Sequence, residues 1–212
     1  MYKHVIWDWN GTLFDDAWLC VEVLNGLLAR RGMPSTSPAR YAEEFDFPVR
    51  DYYVRIGFDF AREPYEAVAA EFMAEYERRR EECRLQPDAL AALRAVAAAG
   101  IGQSLLSIYP HITLEAVTRR HKVRNFFEKL SGLNNLLAGG KIENGKCLVA
   151  ELGIPPGHIL LAGDSTHDHD VAQAIGARGI LTPRGHYTRE RLAATGAPVV
   201  DRLSDILPLI TT

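Results

Sequence analysis

The stretch "VIWDWNGTLFDD" (Val5–Asp16) decides how this chain is read. "HVIW" (His4–Trp7) is short, apolar and β-branched, as a buried strand would be. It stops at Asp8; an amide, Asn10, follows two residues on, and then Gly11 and Thr12. Farther along, "HILLAGD" (His158–Asp164) repeats the device, an apolar strand that delivers an aspartate, and Asp168 follows within "AGDSTHD". A third strand, in "IGQSLLSIYP" (Ile101–Pro110), is predicted to end near Ser107. Ligands of open α/β sheets bind outside the carboxyl ends of the strands. Asp8, Ser107 and Asp164 are therefore expected at one rim.

Working outward, strands alternate with helices. "PDALAALRAVAAAG" (Pro87–Gly100) has Pro in its first turn and Gly past its end. Helices are also predicted near Thr113–His121, over "GKCLVAELGI" (Gly145–Ile154), from Asp170 towards Gly176, and in the tail near Ile210. That alternation predicts a Rossmann-like, doubly wound parallel sheet of the α/β class. Residues 17–84 have another texture. Trp18, Val21, Leu24 and Leu28 recur at helical spacing, an aromatic stretch "FDFPVRDYYVRIGFDF" (Phe45–Phe60) follows, and a charged helix is predicted from Pro64 to Arg84. The expected organisation is a core of residues 1–16 and 86–212 interrupted by a helical insertion of residues 17–85.

Bulk properties narrow the function classes. The 212 residues are 47% hydrophobic and 24% charged, as in an ordinary globular protein. A net charge of −3 gives no general attraction to nucleic acid or anionic lipid. No apolar run reaches the roughly 18 residues of a membrane span, and no signal peptide is visible. Cys20, Cys83 and Cys147 lie far apart without metal-ligand spacing and are read as reduced. A cytoplasmic protein, monomer or homodimer, is expected.

Carboxylates converging at one rim repel one another unless a hard cation sits between them, and oxygen-only ligation suits magnesium. Gly11 permits close backbone approach, and Thr12 offers a hydroxyl and an amide to an anion. Lys146, upstream of the Asp164 strand, is placed to balance charge; Lys141, five residues earlier, competes with it.

These residues resemble the haloacid dehalogenase-like (HAD) hydrolase superfamily. Its four motifs, hhhDxDGT, a strand ending in Ser or Thr, a lysine at a helix start and GDxxxD, correspond to "VIWDWNGT", "SLLS", "GKCLVAELG" and "AGDSTHD". The insertion has the size of the helical C1 cap of phosphoglycolate-phosphatase-like members. The resemblance implies that Asp8 is the nucleophile forming an aspartyl phosphate, and that Asp8, Asp164 and the backbone carbonyl of Asn10 hold Mg²⁺. Asp168 would act directly or through a water, and Ser107 and Lys146 would bind the phosphoryl oxygens. Phosphoryl transfer depends on positioning and charge neutralisation, which agrees.

The departure from the pattern is Asn10. Family phosphatases carry a second aspartate there as general acid and base, a role an amide cannot take. Such help is worth roughly 10²–10⁴-fold. Three readings stay open: a substrate with a good leaving group, such as an acyl phosphate; another proton carrier, with His167, His169 and His186 as candidates; or a slow or inactive relative. Mutases need the second aspartate, phosphonate-cleaving relatives need a cap lysine absent between Lys3 and Lys122, and dehalogenases lack the acidic fourth motif. In the insertion, Arg50, Tyr53 and Arg55 are candidates for an anionic substrate, and Trp9 for lining the cleft. The expected function is a magnesium-dependent phosphatase of a small phosphorylated metabolite. The alternative is a phosphate-binding regulator on the same fold. An oxidoreductase using a nucleotide cofactor is disfavoured, because no GxGxxG follows the first strand.

Overall fold

The computed structural model describes residues 1–133 and 140–211. The expected core range 86–212 therefore includes residues 134–139 and 212, which lie outside the described residues. In chain order the elements are β1 (His4–Trp7), β2 (Phe14–Asp15), α1 (Ala17–Arg30), α2 (Pro38–Glu44), α3 (Val49–Arg55), α4 (Tyr65–Arg79), β3 (Arg84–Leu85), α5 (Ala89–Ala98), β4 (Gly102–Pro110), α6 (His111–Arg120), β5 (Lys129–Leu133), α7 (Gly140–Leu152), β6 (Ile159–Gly163), α8 (Thr166–Ala174), β7 (Arg178–Leu181), α9 (Arg189–Ala193) and α10 (Ile206–Thr211).

Five parallel strands form one sheet in the order β5-β4-β1-β6-β7. Counted along the chain this is the doubly wound order 3-2-1-4-5, whose reversal next to the first strand opens the ligand crevice. Side chains of a strand alternate between faces. Ile6, Leu106 and Leu161 accordingly join Leu148 of α7 and Val171 of α8 in one apolar layer. Val5, Trp7, Leu105 and Leu160 join the larger cluster on the opposite side.

The insertion is helical, as expected, but two-residue strands bound it. β2 and β3 pair antiparallel, Phe14 with Leu85 and Asp15 with Arg84. The charged helix therefore ends at Arg79, short of the predicted Arg84. α1 to α4 lie between the two strands of this ribbon. Two core expectations also shift. β4 continues to Pro110, beyond the predicted end near Ser107, with a register shift after Leu106. α7 starts at Gly140, earlier than the predicted Gly145.

Candidate active site

β1 and β6 are neighbours in register, Trp7 opposite Ala162, so the residues just past their ends meet. The Asp8 N–H donates to the Ala162 carbonyl at 2.8 Å. Asp164 follows β6 directly, and Asp168 lies in the first turn of α8. All three carboxylates are buried, and one oxygen from each lies within 4.8 Å of the others. Lys141, in the first turn of α7, joins them. Its Nζ donates at 2.5 Å to Asp8 Oδ1 and at 2.5 Å to Asp168 Oδ1.

Each carboxylate is fixed by further donors. Asp168 Oδ2 accepts from the Ser165 hydroxyl at 2.6 Å and from two backbone N–H groups, closing a capping box at the start of α8. Asp164 Oδ2 accepts the His186 N–H at 2.7 Å. Thr12 Oγ1 lies 3.0 Å from Asp164 Oδ1 and 3.3 Å from Asp8 Oδ2, and its single proton serves one of them at a time. The backbone closes in where these groups sit. Gly11 has φ +76°, and a Cβ there would stand 2.4 Å from Asp164 Oδ2; a Cβ on Gly185 would stand 2.0 Å from the same atom.

One lysine cannot neutralise three buried carboxylates. Burial pushes the Asp8 carboxyl up to about 8 against the opposing charge of Lys141, and the charges of Asp168 and Asp164 add to the rise. Burial likewise raises Asp164 to about 8, with Asp168 adding to it. Asp168 is held below the usual carboxylate range: burial works against it, but Lys141 and the Ser165 hydroxyl outweigh burial. The donor set is entirely oxygen, its charge exceeds what Lys141 balances, and it surrounds a point between two strand ends. These residues fit a small hard dication such as Mg²⁺.

Several expected residues stand elsewhere. Lys146 is exposed and pairs with Glu143 at 2.7 Å. The helical period explains the exchange, since Lys141, Asn144, Gly145 and Leu148 share the buried face of α7, from which Lys146 is turned away. Ser107 is fully buried, and its Oγ accepts the N–H of Tyr109 at 3.1 Å within its own strand; it is absent from the cavity wall. Arg50 is exposed over the Phe60 ring at 5.4 Å, because α3 turns Tyr52 and Tyr53 inward instead. Arg55 donates to the Glu44 carbonyl at 2.9 Å. Trp9 is buried in the core against Phe14, at 5.2 Å. Of the histidines, His167 and His186 line the cavity, whereas His169 bonds Gln173 at 2.9 Å.

A buried carboxylate not singled out in the sequence completes the site. The Asn10 side-chain amide donates to Asp16 Oδ2 at 2.7 Å and to the Tyr76 hydroxyl at 3.0 Å. Tyr76 donates to the same Asp16 oxygen at 2.6 Å, and the Gly11 N–H to Asp16 Oδ1 at 2.8 Å. Asp16 Oδ1 also lies 3.8 Å from His186 Nε2. The only sequence signal for this role was the doubled aspartate that ends the opening stretch.

The carboxylates form one end of a cavity of about 300 Å³, walled by side chains of the helical insertion and by the rim of the sheet.

The sequence profile of the haloacid dehalogenase-like hydrolases matches residues 5–173, and a HAD-like hydrolase profile matches residues 145–206. No curated protein matches the chain. Solved structures share the fold. A haloacid dehalogenase-like family hydrolase from Streptococcus pneumoniae superposes with TM-score 0.84 at 14% identity, over 98% of both chains. A predicted phosphatase from Clostridium acetobutylicum gives 0.84 at 16% identity, over 100% of this chain and 99% of the other. A predicted phosphoglycolate phosphatase from Haemophilus somnus gives 0.77 at 20% identity, over 98% and 97%.

Proposed function

The chain belongs to the haloacid dehalogenase-like hydrolase family, and on that premise we propose that it is a magnesium-dependent phosphatase with Asp8 as its nucleophile. One observation carries the reading. Two strand ends and the first turns of two helices bring three carboxylates and one lysine to a single buried point at the head of a cavity.

In this reading an Asp8 carboxylate oxygen attacks the phosphorus of a small phosphorylated substrate and forms an aspartyl phosphate, which water then cleaves. Lys141 orients Asp8 through Oδ1 and offsets negative charge on the phosphoryl group; Asp168 fixes Lys141 from the other side. A bound Mg²⁺, held by Asp8, Asp164 and the Asn10 carbonyl with Asp168 beside them, would supply charge neutralisation for the transferring phosphoryl oxygens. The Thr12 hydroxyl and the His186 N–H hold Asp164 in place, and Gly11 leaves room for it. Residues 17–85 act as the cap that excludes water from the reaction. The buried free thiols Cys20 and Cys83 agree with a cytoplasmic setting.

Asn10 has no acidic proton to transfer, and its amide is engaged by Asp16 and Tyr76. The leaving group therefore departs without a side-chain acid at this position. The test is phosphate release from phenyl phosphate with and without Mg²⁺, alongside Asp8→Asn. The reading expects activity that requires Mg²⁺ and vanishes in the variant; activity retained by Asp8→Asn contradicts it.

A further inference from the structure

We propose that the substrate is an aryl phosphate: a phosphoryl group on a phenol-type oxygen, carried by an apolar body. The proposal rests on the phosphatase reading above and adds the chemical class of what is cleaved.

The cavity supplies the first argument. Past the carboxylate end its wall is ring and hydrocarbon, with Leu24, Phe45, Tyr53, Ala69 and Phe72 among its residues. The phenol hydroxyls closest to the charged end are already committed. Tyr41 bonds His186 Nδ1 at 3.0 Å, Tyr76 bonds Asp16, and Tyr109 bonds Glu77 and Arg80. Among the described residues no arginine lines the cavity, and its basic side chains, Lys141, His167 and His186, all belong to the phosphoryl end. A polyhydroxylated body, or one with a second anion, would lose its water and find at most the phenol hydroxyls of Tyr52, Tyr53 and Tyr65 in return, a loss of roughly tenfold or more in affinity per group left unpaired. A volume of about 300 Å³ is at the small end of ligand pockets. It suits a body of about one ring.

Asn10 supplies the second argument, independently of the cavity. With no acid at that position, breaking the phosphorus–oxygen bond is favoured when its electron pair settles on an oxygen that tolerates the charge. A phenol, with pKa about 10, does so far better than an alkyl alcohol, which resembles water at about 15.7. The balanced sequence is short. Asp8 forms a bond to phosphorus as the aryl oxygen leaves as phenolate; the phenolate takes its proton from solvent. Water then cleaves the aspartyl phosphate, returning the Asp8 carboxylate and inorganic phosphate.

The experiment uses phenyl phosphate, benzyl phosphate and glycerol phosphate with Mg²⁺. Calorimetry on the Asp8→Asn protein reads binding, and steady-state phosphate release by the wild type reads turnover. The two aromatic esters should bind within a few-fold of each other and at least tenfold tighter than glycerol phosphate. Turnover of phenyl phosphate should exceed that of benzyl phosphate at least hundredfold, the scale of a missing acid. Should Asp8→Asn fold poorly, the wild-type KM values carry the same comparison. Ala69→Trp, which fills the cavity, should weaken phenyl phosphate at least tenfold while leaving inorganic phosphate within about twofold. Glycerol phosphate binding as tightly as phenyl phosphate, or no binding of either aromatic ester, overturns the apolar body. Benzyl phosphate turning over as fast as phenyl phosphate overturns the leaving-group argument. If the aromatic esters bind selectively and neither is cleaved, the phosphatase reading fails while the apolar site stands.

Discussion

The Asn10 amide donates a 2.7 Å hydrogen bond to the buried Asp16 carboxylate. This explains why residue 10 is an amide. Asp16 already occupies the neighbouring space with a charge, gathering donors from Asn10, Gly11 and Tyr76, so an aspartate at position 10 would oppose it. Asn10→Asp should therefore destabilise the protein by more than the roughly 1.5–3 kcal/mol of a hydrogen bond to a charged group. Combining it with Asp16→Asn should restore most of that stability. Denaturant unfolding of the two single variants and the double variant checks this, and additive losses would count against it.

The two lysines of α7 should separate cleanly. Lys141→Ala leaves Asp8 and Asp168 facing each other in a buried setting, and breaking such a pair costs about 3–5 kcal/mol. Phosphate release should also fall at least hundredfold. Lys146→Ala removes one exposed pair and should stay within about 0.5 kcal/mol of wild type with full activity. Unfolding curves and rates for both variants decide the matter.

Stability of the metal-free protein should fall as pH rises. Asp8 and Asp164 stand near 8 when folded against 3.8 as ordinary carboxylates. Between those values the folded state holds protons that the unfolded chain has released, so their contribution, complete below pH 4, is lost progressively towards pH 8. At the proposed cation site Mg²⁺ would replace those protons. Thermal unfolding from pH 5 to 8 should therefore show a stabilisation by Mg²⁺ that grows with pH; a stabilisation that is the same throughout would contradict the cation site.

Gly185 tests the cradle around Asp164. A methyl group there would stand 2.0 Å from Asp164 Oδ2, so the carboxylate must move. Gly185→Ala should weaken Mg²⁺ activation about 10–100-fold, the usual effect of disturbing a group that orients a metal ligand. The concentration of Mg²⁺ giving half-maximal activity measures it.

Much of the sheet was legible because its strands announce themselves: "HVIW" and "HILLAGD" are unbroken apolar runs that stop at aspartates, and their pairing places Asp8 beside Asp164. Strand β5, "KLSGL", has no such run, and the β2–β3 ribbon has only two residues a side, too few for any periodic signal. The site lysine depended on helix register. The sequence shows two lysines five apart, but only the true start of α7 at Gly140 turns Lys141 inward with Leu148. Ser107 and Arg50 stand elsewhere for the same kind of reason. A residue type suited to phosphate does not say which way its side chain faces, and Ser107 bonds its own strand while Arg50 lies on the outer side of α3. Asp16 was hidden because its partners Asn10 and Tyr76 are brought together only by the fold, Tyr76 from sixty residues away.

The central claim is that Asp8 becomes phosphorylated during turnover. The direct measurement is to quench the Mg²⁺-loaded protein during turnover of phenyl phosphate, trap any acyl phosphate with hydroxylamine, and map the modified peptide by mass spectrometry. The account predicts a hydroxamate at Asp8 that is absent without substrate and absent in Asp8→Asn. Turnover with no modification at Asp8, or modification at another carboxylate, would contradict it.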